Sequence, residues 1–201
     1  MLGCIRKFLQ ILILSFAVIG FLSIGGKEFV VEQYNKFFGN SQENILERAS
    51  KLGDFSQISE EFSIDKAASA FGYQGVLAEH NASGQKIFII KSDKKSLIVT
   101  KSDFENGTVD SKINSLIRKF KYQALQVEDF TITKRGTMTA YGQQVPYLRF
   151  TAKINKLPIG VIGGVISAVD ITPDDSRTIV ALNENKKYSQ LITDEFFKKV
   201  K

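Results

Sequence analysis

An unbroken apolar run opens the chain. No charged residue lies between Phe8 and Gly26, and the apolar side chains would leave no polar face on a helix. A helix over this range is about 28 Å long, close to the roughly 30 Å of a bilayer's hydrocarbon core. Arg6 and Lys7 precede the run, whereas the charges of Lys27 and Glu28 after it cancel. Because positive flanks stay in the cytoplasm, the pattern predicts a single-pass membrane helix with a cytoplasmic N-terminus and an extracytoplasmic remainder.

A cleaved signal peptide is the alternative interpretation of the same run. The small residues of Ser23-Ile24-Gly25 weakly match a cleavage site, and cleavage would make the protein secreted. The run is longer than the apolar centre of a typical signal peptide, which favours a retained anchor. A core helix of a cytosolic protein is a third interpretation, and the lack of a polar face argues against it.

Helical spacing continues over residues 27–62, which we interpret as a helical connecting region. The first set of apolar residues recurs every three or four positions and ends at Gly39; it comprises Phe29, Val30, Tyr34, Phe37 and Phe38. A second set predicts a short helix through Ile45, Leu46, Ala49 and Leu52. Gly53 follows it, as glycine commonly follows the C-terminus of a helix. Ser63 to Phe71, closed by Gly72, predicts another short helix.

The hydrophobic period changes after Tyr73. Strand-like runs cover 75–79 and 86–91, with the turn-forming residues 81–84 between them, and 96–101 predicts a further strand. A helix follows, with Asp110 as a candidate cap. Its apolar stripe consists of Ile113, Leu116, Ile117 and Phe120.

The rest of the chain has the pattern of an antiparallel meander closed by a helix. Strands are predicted at 127–133, 137–141, 145–154, 159–171 and 177–183, with turns at 134–136, 142–144 and 172–176. The final helix carries Tyr188, Leu191, Ile192, Phe196 and Val200 on one side. The sequence therefore predicts an α+β fold: an N-terminal transmembrane helix, then an antiparallel sheet with packed helices, including a C-terminal one. The predicted divisions are 1–26 (anchor or signal peptide), 27–62 (connecting region) and 63–201 (extracytoplasmic domain).

The net charge and the cysteine count limit the kinds of partner and of cross-link that the chain can have. The 201 residues carry a net charge of +6, and +4 remains once Arg6 and Lys7 are set aside. This mild charge fits an ordinary surface or a weak attraction to lipid headgroups, so no nucleic-acid partner is expected. Cys4 is the one cysteine, and it lies before the apolar run. The remainder of the chain therefore forms no internal disulfide.

Three polar or glycine-rich features are candidate ligand sites. The stretch 160–164 lacks the Lys-Ser/Thr ending of a phosphate loop, so we interpret it as a strand with a bulge or close packing at Gly163 and Gly164. His80 is the one histidine, and Glu79 beside it would point to the opposite face of a strand. The pair at 174–175 could offer oxygens to calcium, but two aspartates are more typical of a solvated turn.

Catalytic patterns are weak. Ser63 and Lys66, and Ser92 and Lys95, have the spacing of a serine–lysine pair on a helix, but such matches between common residues are expected by accident. There is no Gly-x-Ser-x-Gly motif. We therefore assign no catalytic, cofactor-binding or metal-binding residue and predict no cofactor.

Basic residues form the remaining pattern. Lys112, Arg118, Lys119 and Lys121, with Lys134 and Arg135, could line an anionic partner or form a solvated face. Lys198, Lys199 and Lys201 suit the negative end of the last helix. Asn81 and Asn106 begin glycosylation patterns that matter only in a eukaryotic secretory pathway.

These observations lead to three hypotheses of function. The first is a non-catalytic, membrane-tethered extracytoplasmic module that contacts the membrane through Phe8 to Gly26 and binds a protein or an envelope partner. The second is a carrier or sensor of a small apolar ligand or lipid, because an antiparallel sheet curving over a helix can leave an apolar cavity. The third is a hydrolase whose site has no recognisable motif.

Overall fold

The computed structural model describes residues 42–70, 72–120, 127–154 and 160–201. The predicted membrane segment Phe8–Gly26 and the first part of the connecting region lie outside these ranges. Among the helices of the described ranges, none is both long enough and apolar enough to span a bilayer.

Seven strands and four α-helices make up the described residues, which confirms the α+β class. The helices are α1 (Gln42–Ser50), α2 (Lys101–Glu105), α3 (Val109–Phe120) and α4 (Gln190–Lys199), with a 3₁₀ turn at Lys95–Leu97. The strands are β1 (Phe62–Ala70), β2 (Tyr73–His80), β3 (Gln85–Ser92), β4 (Val127–Ala140), β5 (Gln143–Ile154), β6 (Val161–Thr172) and β7 (Asp175–Glu184).

One antiparallel sheet contains all seven strands in the order β1-β2-β3-β7-β6-β5-β4. Two meanders, β1–β3 and β4–β7, therefore meet where β3 pairs with β7. β1 and β4, the first strand of each meander, form the two edges of the sheet.

Successive side chains of a strand point to opposite faces of the sheet. Both faces are buried, because a separate core lies on each. On one face, Phe88 and Leu182 pack under α3, whose Ile113 and Leu116 are buried. We call this the α3 face. The opposite face, the α4 face, packs against both α1 and α4.

A buried polar contact fixes α4 on its face. The Gln85 side chain is fully buried, and its Nε2 donates to the Ser189 carbonyl at 3.0 Å and to Thr193 Oγ1 at 2.9 Å. Its Oε1 accepts from the Ser189 N–H at 2.8 Å. These bonds join the start of α4 to β3 and orient the aromatic residues that follow.

Three predictions of secondary structure were wrong. Residues from Ser63 to Ala70 belong to strand β1 and not to a helix. A β-bulge between Ile64 and Lys66 interrupts the alternation of this strand, and its alanines favour a helix locally. The sheet overrides both signals because β1 pairs with β2 along its whole length.

The second wrong prediction is a strand at 96–101. Ile98 and Val99 are buried, but Thr100 caps α2 instead of extending a strand. Its Oγ1 accepts from the Asp103 N–H at 3.3 Å, and Asp103 accepts from the Thr100 N–H at 2.8 Å. This reciprocal capping box satisfies two backbone donors at the start of the helix.

The third is the turn at 134–136, because β4 continues through it. Gly136 lies opposite Tyr147, and a Cβ at this glycine would come within 3.0 Å of the tyrosine ring. The glycine makes room for a cross-strand aromatic side chain. Most other predicted strands, the turn at 81–84, and the helices at α1, α3 and α4 are confirmed to within a few residues.

Candidate functional site

An open apolar groove runs between α1 and β1. It has a volume of about 620 Å³ and is lined mainly by Leu46, Ala49, Phe55, Ile58, Phe62 and Ile64. Ser56 and Ser63 add hydroxyl groups to the lining. The volume falls in the range of about 300 to 1,000 Å³ typical of small-molecule pockets.

The helical period of α1 creates one wall of the groove. Ile45, Ala49 and Leu52 point into the core, where they are at most 8% exposed. Leu46 lies one position further around the helix and is 52% exposed. Leu46 thus adds an exposed apolar side chain to the lining of the groove.

Aromatic rings support the floor of the groove. Phe62 is buried, and its ring lies edge-on to that of Phe196 of α4 with centroids 5.2 Å apart. Phe55 lies 6.2 Å from the same ring, and Phe197 lies 5.1 Å from it. Gln85 joins α4 to β3, so the aromatic rings of α4 that support the groove are held against the sheet.

A second cavity, of about 280 Å³, adjoins the groove and has a polar lining. The two cavities share Ser50, Gly53 and Asp54. The other residues of the second lining are Lys51, Tyr141, Gln143, Ile171, Arg177 and Lys201. Three of its side chains are therefore cationic and one, Asp54, is anionic.

The carbonyl oxygen of Leu52 organises this cavity. It accepts from Tyr141 Oη at 2.6 Å and from Arg177 Nη1 at 2.7 Å. The guanidinium of Arg177 also lies 4.9 Å from the centre of the Tyr141 ring. Burial raises the pKa of Tyr141 to about 12, so this hydroxyl remains a donor at neutral pH.

Asp175 neutralises the buried guanidinium. Nε and Nη2 of Arg177 donate to the two carboxylate oxygens at 3.2 and 2.8 Å, and Lys91 Nζ lies 3.2 Å away. The hydrogen bonds from Arg177 hold the pKa of Asp175 below its ordinary value, and Lys91 acts in the same direction. Arg177 thus has a structural partner, whereas Lys51 and Lys201 are exposed at the cavity mouth.

A second charged cluster lies on the α3 face beside the bulge of β1. Lys86 is 6% exposed; it donates to Glu79 and lies 3.7 Å from Asp65. Burial raises the pKa of Asp65, Glu79 acts in the same direction, and a 2.8 Å hydrogen bond from Ser63 opposes both. This cluster holds one lysine between two carboxylates, which suits an ion-pair network within the sheet.

The glycine-rich stretch lies in strand β6, as interpreted from the sequence. A Cβ at Gly164 would lie 2.5 Å from the Ala181 carbonyl oxygen, and one at Gly163 would lie 2.7 Å from Asn185 Oδ1. Both glycines are therefore required by close packing.

His80 and Glu79 point to opposite faces, as predicted. His80 Nδ1 accepts from the Ser83 N–H at 3.2 Å, and its ring lies against Phe62. Glu79 instead bonds Lys86 on the other face. Within the described residues, no group of three or more His, Cys, Asp or Glu side chains is arranged to hold a metal ion.

The two aspartates of the β6–β7 turn have different surroundings. Asp174 is exposed, as expected for a solvated turn. Asp175 is the ion-pair partner of Arg177, and the sequence-based interpretation was wrong for this residue.

The serine–lysine spacings do not correspond to helical pairs. Ser63 lies in a strand and donates to Asp65. Lys95 Nζ donates to the Pro173 carbonyl at 2.6 Å, and Ser92 Oγ accepts from the Lys94 N–H.

The basic residues of the sequence pattern are not gathered on one surface. Arg135 pairs with Asp110 of α3 at 2.6 Å, and Lys112 donates to the Lys95 carbonyl at 3.2 Å. Lys134 lies opposite Arg149 of β5, and Arg135 lies opposite Leu148. Because adjacent residues of a strand point to opposite faces, Lys134 and Arg135 lie on different faces of the sheet. Lys119's side chain and Lys121 lie outside the described residues.

The residues of the paired cavities were missed because they come from distant parts of the chain. Tyr141 follows β4, Arg177 belongs to β7, and both bond a carbonyl that follows α1. Tyr141 also has an unusual backbone conformation, with φ of 50°. A positive φ is uncommon for residues other than glycine, so the sequence gives no signal of it at a tyrosine.

No protein-family model matches the chain, and no curated protein is significantly similar to it. The described residues form an α+β domain with a ligand-sized surface groove. The candidate site therefore consists of the two adjoining cavities, one apolar and one with cationic side chains.

Proposed function

We propose that this protein is a membrane-tethered extracytoplasmic binding module whose ligand is an amphiphile with an anionic head. The apolar chain of the ligand occupies the groove between α1 and β1. Its head lies at the mouth of the second cavity, beside Lys51 and Lys201. The observation that carries this proposal is the shared wall of Ser50, Gly53 and Asp54.

The apolar part of the proposal rests on the groove lining. Six of its side chains are apolar, and Leu46 is half exposed. Covering such a surface is favourable in proportion to the apolar area removed from water. An acyl chain matches this lining because it is long, narrow and uniformly apolar.

The charged part rests on Lys51 and Lys201. Arg177 is neutralised by Asp175, and bonds from Ser56 hold the pKa of the Asp54 carboxyl below its ordinary value, so this residue stays anionic. The exposed lysines can bind a carboxylate or phosphate head, although Asp54 also attracts Lys201.

The tether brings the groove close to lipid. α1 is the first described helix, and residues 27–41 separate it from the predicted membrane segment. This connection spans at most about 50 Å at 3.3 to 3.6 Å per residue. A lipid-derived ligand would therefore be present at high local concentration.

Photolabelling in cells tests the proposal on the full-length chain. A fatty acid carrying a photoreactive diazirine is supplied to cells that express the protein, and labelled peptides are mapped by mass spectrometry. We expect labels on 46–64, and we expect Leu46→Glu to lower labelling at least fivefold. Leu191→Glu is the matched control, because Leu191 is 80% exposed on α4 and lines neither cavity.

The head group is tested by a second pair of probes. Lys51→Glu should weaken labelling by the photoreactive fatty acid but not by the corresponding fatty alcohol, which has no charge. Labelling that is insensitive to Leu46→Glu, or that maps away from the groove, would overturn the proposal. A crosslinked protein at the groove in place of the probe would favour a protein partner instead.

A further inference from the structure

Strand β4 presents a long unpaired edge. It spans 14 residues, and no residue between Val127 and Thr137 is buried. In the described part of the chain, only β5 pairs with it. An edge of this length carries a row of backbone N–H and C=O groups that another strand could bond.

Opposite charges lie on one face of this edge. Asp129 pairs with Lys153 of β5, and Lys134 pairs with Arg149. Positions 149 and 153 share a face because they are separated by an even number of residues in a regular strand. Asp129 and Lys134 share that face too, because the bulge between Ile132 and Lys134 adds one residue to β4.

These two charges have no ion-pair partner within the described residues. The neighbouring Glu128 and Arg135 do form ion pairs, with Lys153 and Asp110 respectively. Within the described residues, the Asp129 side chain accepts one hydrogen bond, from the Thr131 hydroxyl at 3.4 Å. Both side chains are exposed.

The opposite face of the same edge is apolar. Phe130 and Ile132 pair with Ala152 and Phe150, whose side chains are buried in the core of the α3 face. Phe130 is half buried, and its ring stacks on that of Phe150 with centroids 4.9 Å apart. Thr131 lies between them, exposed on the charged face.

We propose that β4 is a self-association edge, on which a second copy of this chain adds its own β4 in antiparallel orientation. Thr131 lies on the two-fold axis. Phe130 then faces Ile132 of the second copy, and Asp129 faces Lys134 of the second copy. The bulge on each strand keeps both pairs on matching faces, so two ion pairs and two apolar pairs form by symmetry.

This arrangement favours one partner over others. Bulges and charges usually protect an edge against pairing. Along β4 the negative Asp129 comes before the positive Lys134. In antiparallel orientation a second β4 places its lysine opposite the aspartate and its aspartate opposite the lysine, so the charges are complementary. The contact is a single strand pair, so association is weak and depends on the local concentration of the protein.

A charge exchange tests the ion pairs. Full-length chains labelled with donor or acceptor dyes are mixed in liposomes, and energy transfer reports association. We expect Asp129→Lys and Lys134→Asp each to weaken association at least tenfold, and the double variant to restore it. The matched control is Asp174→Lys with Lys186→Asp, because both residues are exposed in turns away from β4. Two weakened single variants without rescue in the double variant would overturn the proposal.

A cysteine placed on the axis tests the register. In a Cys4→Ser background, Thr131→Cys should form a disulfide-linked dimer on mild oxidation, because directly opposed residues bring their Cβ atoms within reach of a disulfide. Thr137→Cys is exposed on the same edge but far from the axis, so it should remain mostly monomeric. Equal crosslinking of the two variants, or none at Thr131→Cys, would overturn the two-fold arrangement. This result does not depend on ligand binding in the groove.

Discussion

The two edges of the sheet expose very different surfaces. Along β1, the described positions from Phe62 to Ser69 are buried or half buried, except the last. Along β4, no position between Val127 and Thr137 is buried. Both strands contain bulges and charged residues. The difference comes from the packing on each strand: α1 shares the core of the α4 face with β1, whereas only Met138 and Ala140 of β4 belong to that core.

In our proposals, one sheet supports two kinds of binding. A helix that packs on an edge strand leaves a groove wherever the helix and the strand do not meet completely, and such a groove suits a small ligand. An uncovered edge offers backbone groups in a regular row, which suits another strand. The following predictions test the contrast, from the largest expected effect to the smallest.

The largest effect is expected from Leu52→Ala. Leu52 is 1% exposed between α1 and the sheet, so the substitution removes buried methyl groups and leaves a cavity. We expect the free energy of unfolding to fall by about 2 to 5 kcal/mol. Thr131→Ala at the other edge should change it by less than about 0.5 kcal/mol, because the side chain is exposed. Urea unfolding of the full-length chain in nanodiscs measures both, and equal losses would contradict the contrast.

A smaller loss is expected from Gly53→Ala. Gly53 has φ of +155°, and a Cβ would lie 2.8 Å from Val200 Cγ1, so the substitution adds both backbone strain and crowding. We expect a loss of about 1 to 3 kcal/mol. Gly142→Ala in the β4–β5 turn is the matched control, because its φ is +69° and no heavy atom lies within 4 Å of the added Cβ. A control loss as large as that at Gly53 would show that strain alone explains the effect.

The pH dependence of stability should report on Asp175. Its pKa is lower in the folded state, because the folded protein holds its carboxylate on Arg177. This contribution is fully present above the ordinary pKa and is lost as the pH falls through the lowered value. The wild-type protein should therefore be more stable than Asp175→Asn at pH 7, and the difference should shrink on acidification. A difference that grows below pH 4 would contradict the assignment.

The smallest effect, with the opposite sign, is expected from Asp65. Its pKa is raised by burial at the bulge of β1, so the folded state binds a proton before the unfolded state does. Stability relative to Asp65→Asn should then rise as the pH falls through the raised pKa towards the ordinary value. Asp174 is exposed in the β6–β7 turn, and Asp174→Asn serves as the control. The same series of urea unfolding curves measures all three variants.

Local sequence patterns predicted most of the sheet and three of the four described helices. Ile113 and Leu116 form an apolar stripe because a helix repeats every 3.6 residues, and that spacing is visible without a structure. Two of the three errors in secondary structure lie where one residue breaks the pattern. Asp65 adds a bulge to β1, and Gly136 continues β4 because Tyr147 needs its space. In both places the partner strand decides the conformation.

The candidate site was not predictable in the same way. Leu46 belongs to a predicted helix, but nothing in the local pattern shows that it faces a groove formed with β1. The carbonyl of Leu52 meets Tyr141 and Arg177, which lie 89 and 125 positions further along the chain. Ser63 of the serine–lysine pattern lines the groove, but the other residues of the glycosylation, catalytic and phosphate-loop patterns line neither cavity.

The sequence by itself determined the α+β class, the position of most strands and helices, and which residues of α1, α3 and α4 are apolar. These features depend on hydrogen bonds and periodicities within a few residues of one another. Only the tertiary structure decided the strand order, the bonding of Tyr141 and Arg177 to the Leu52 carbonyl, and the different exposure of β1 and β4. These features depend on contacts between distant segments, whose geometry is set by packing of the whole sheet.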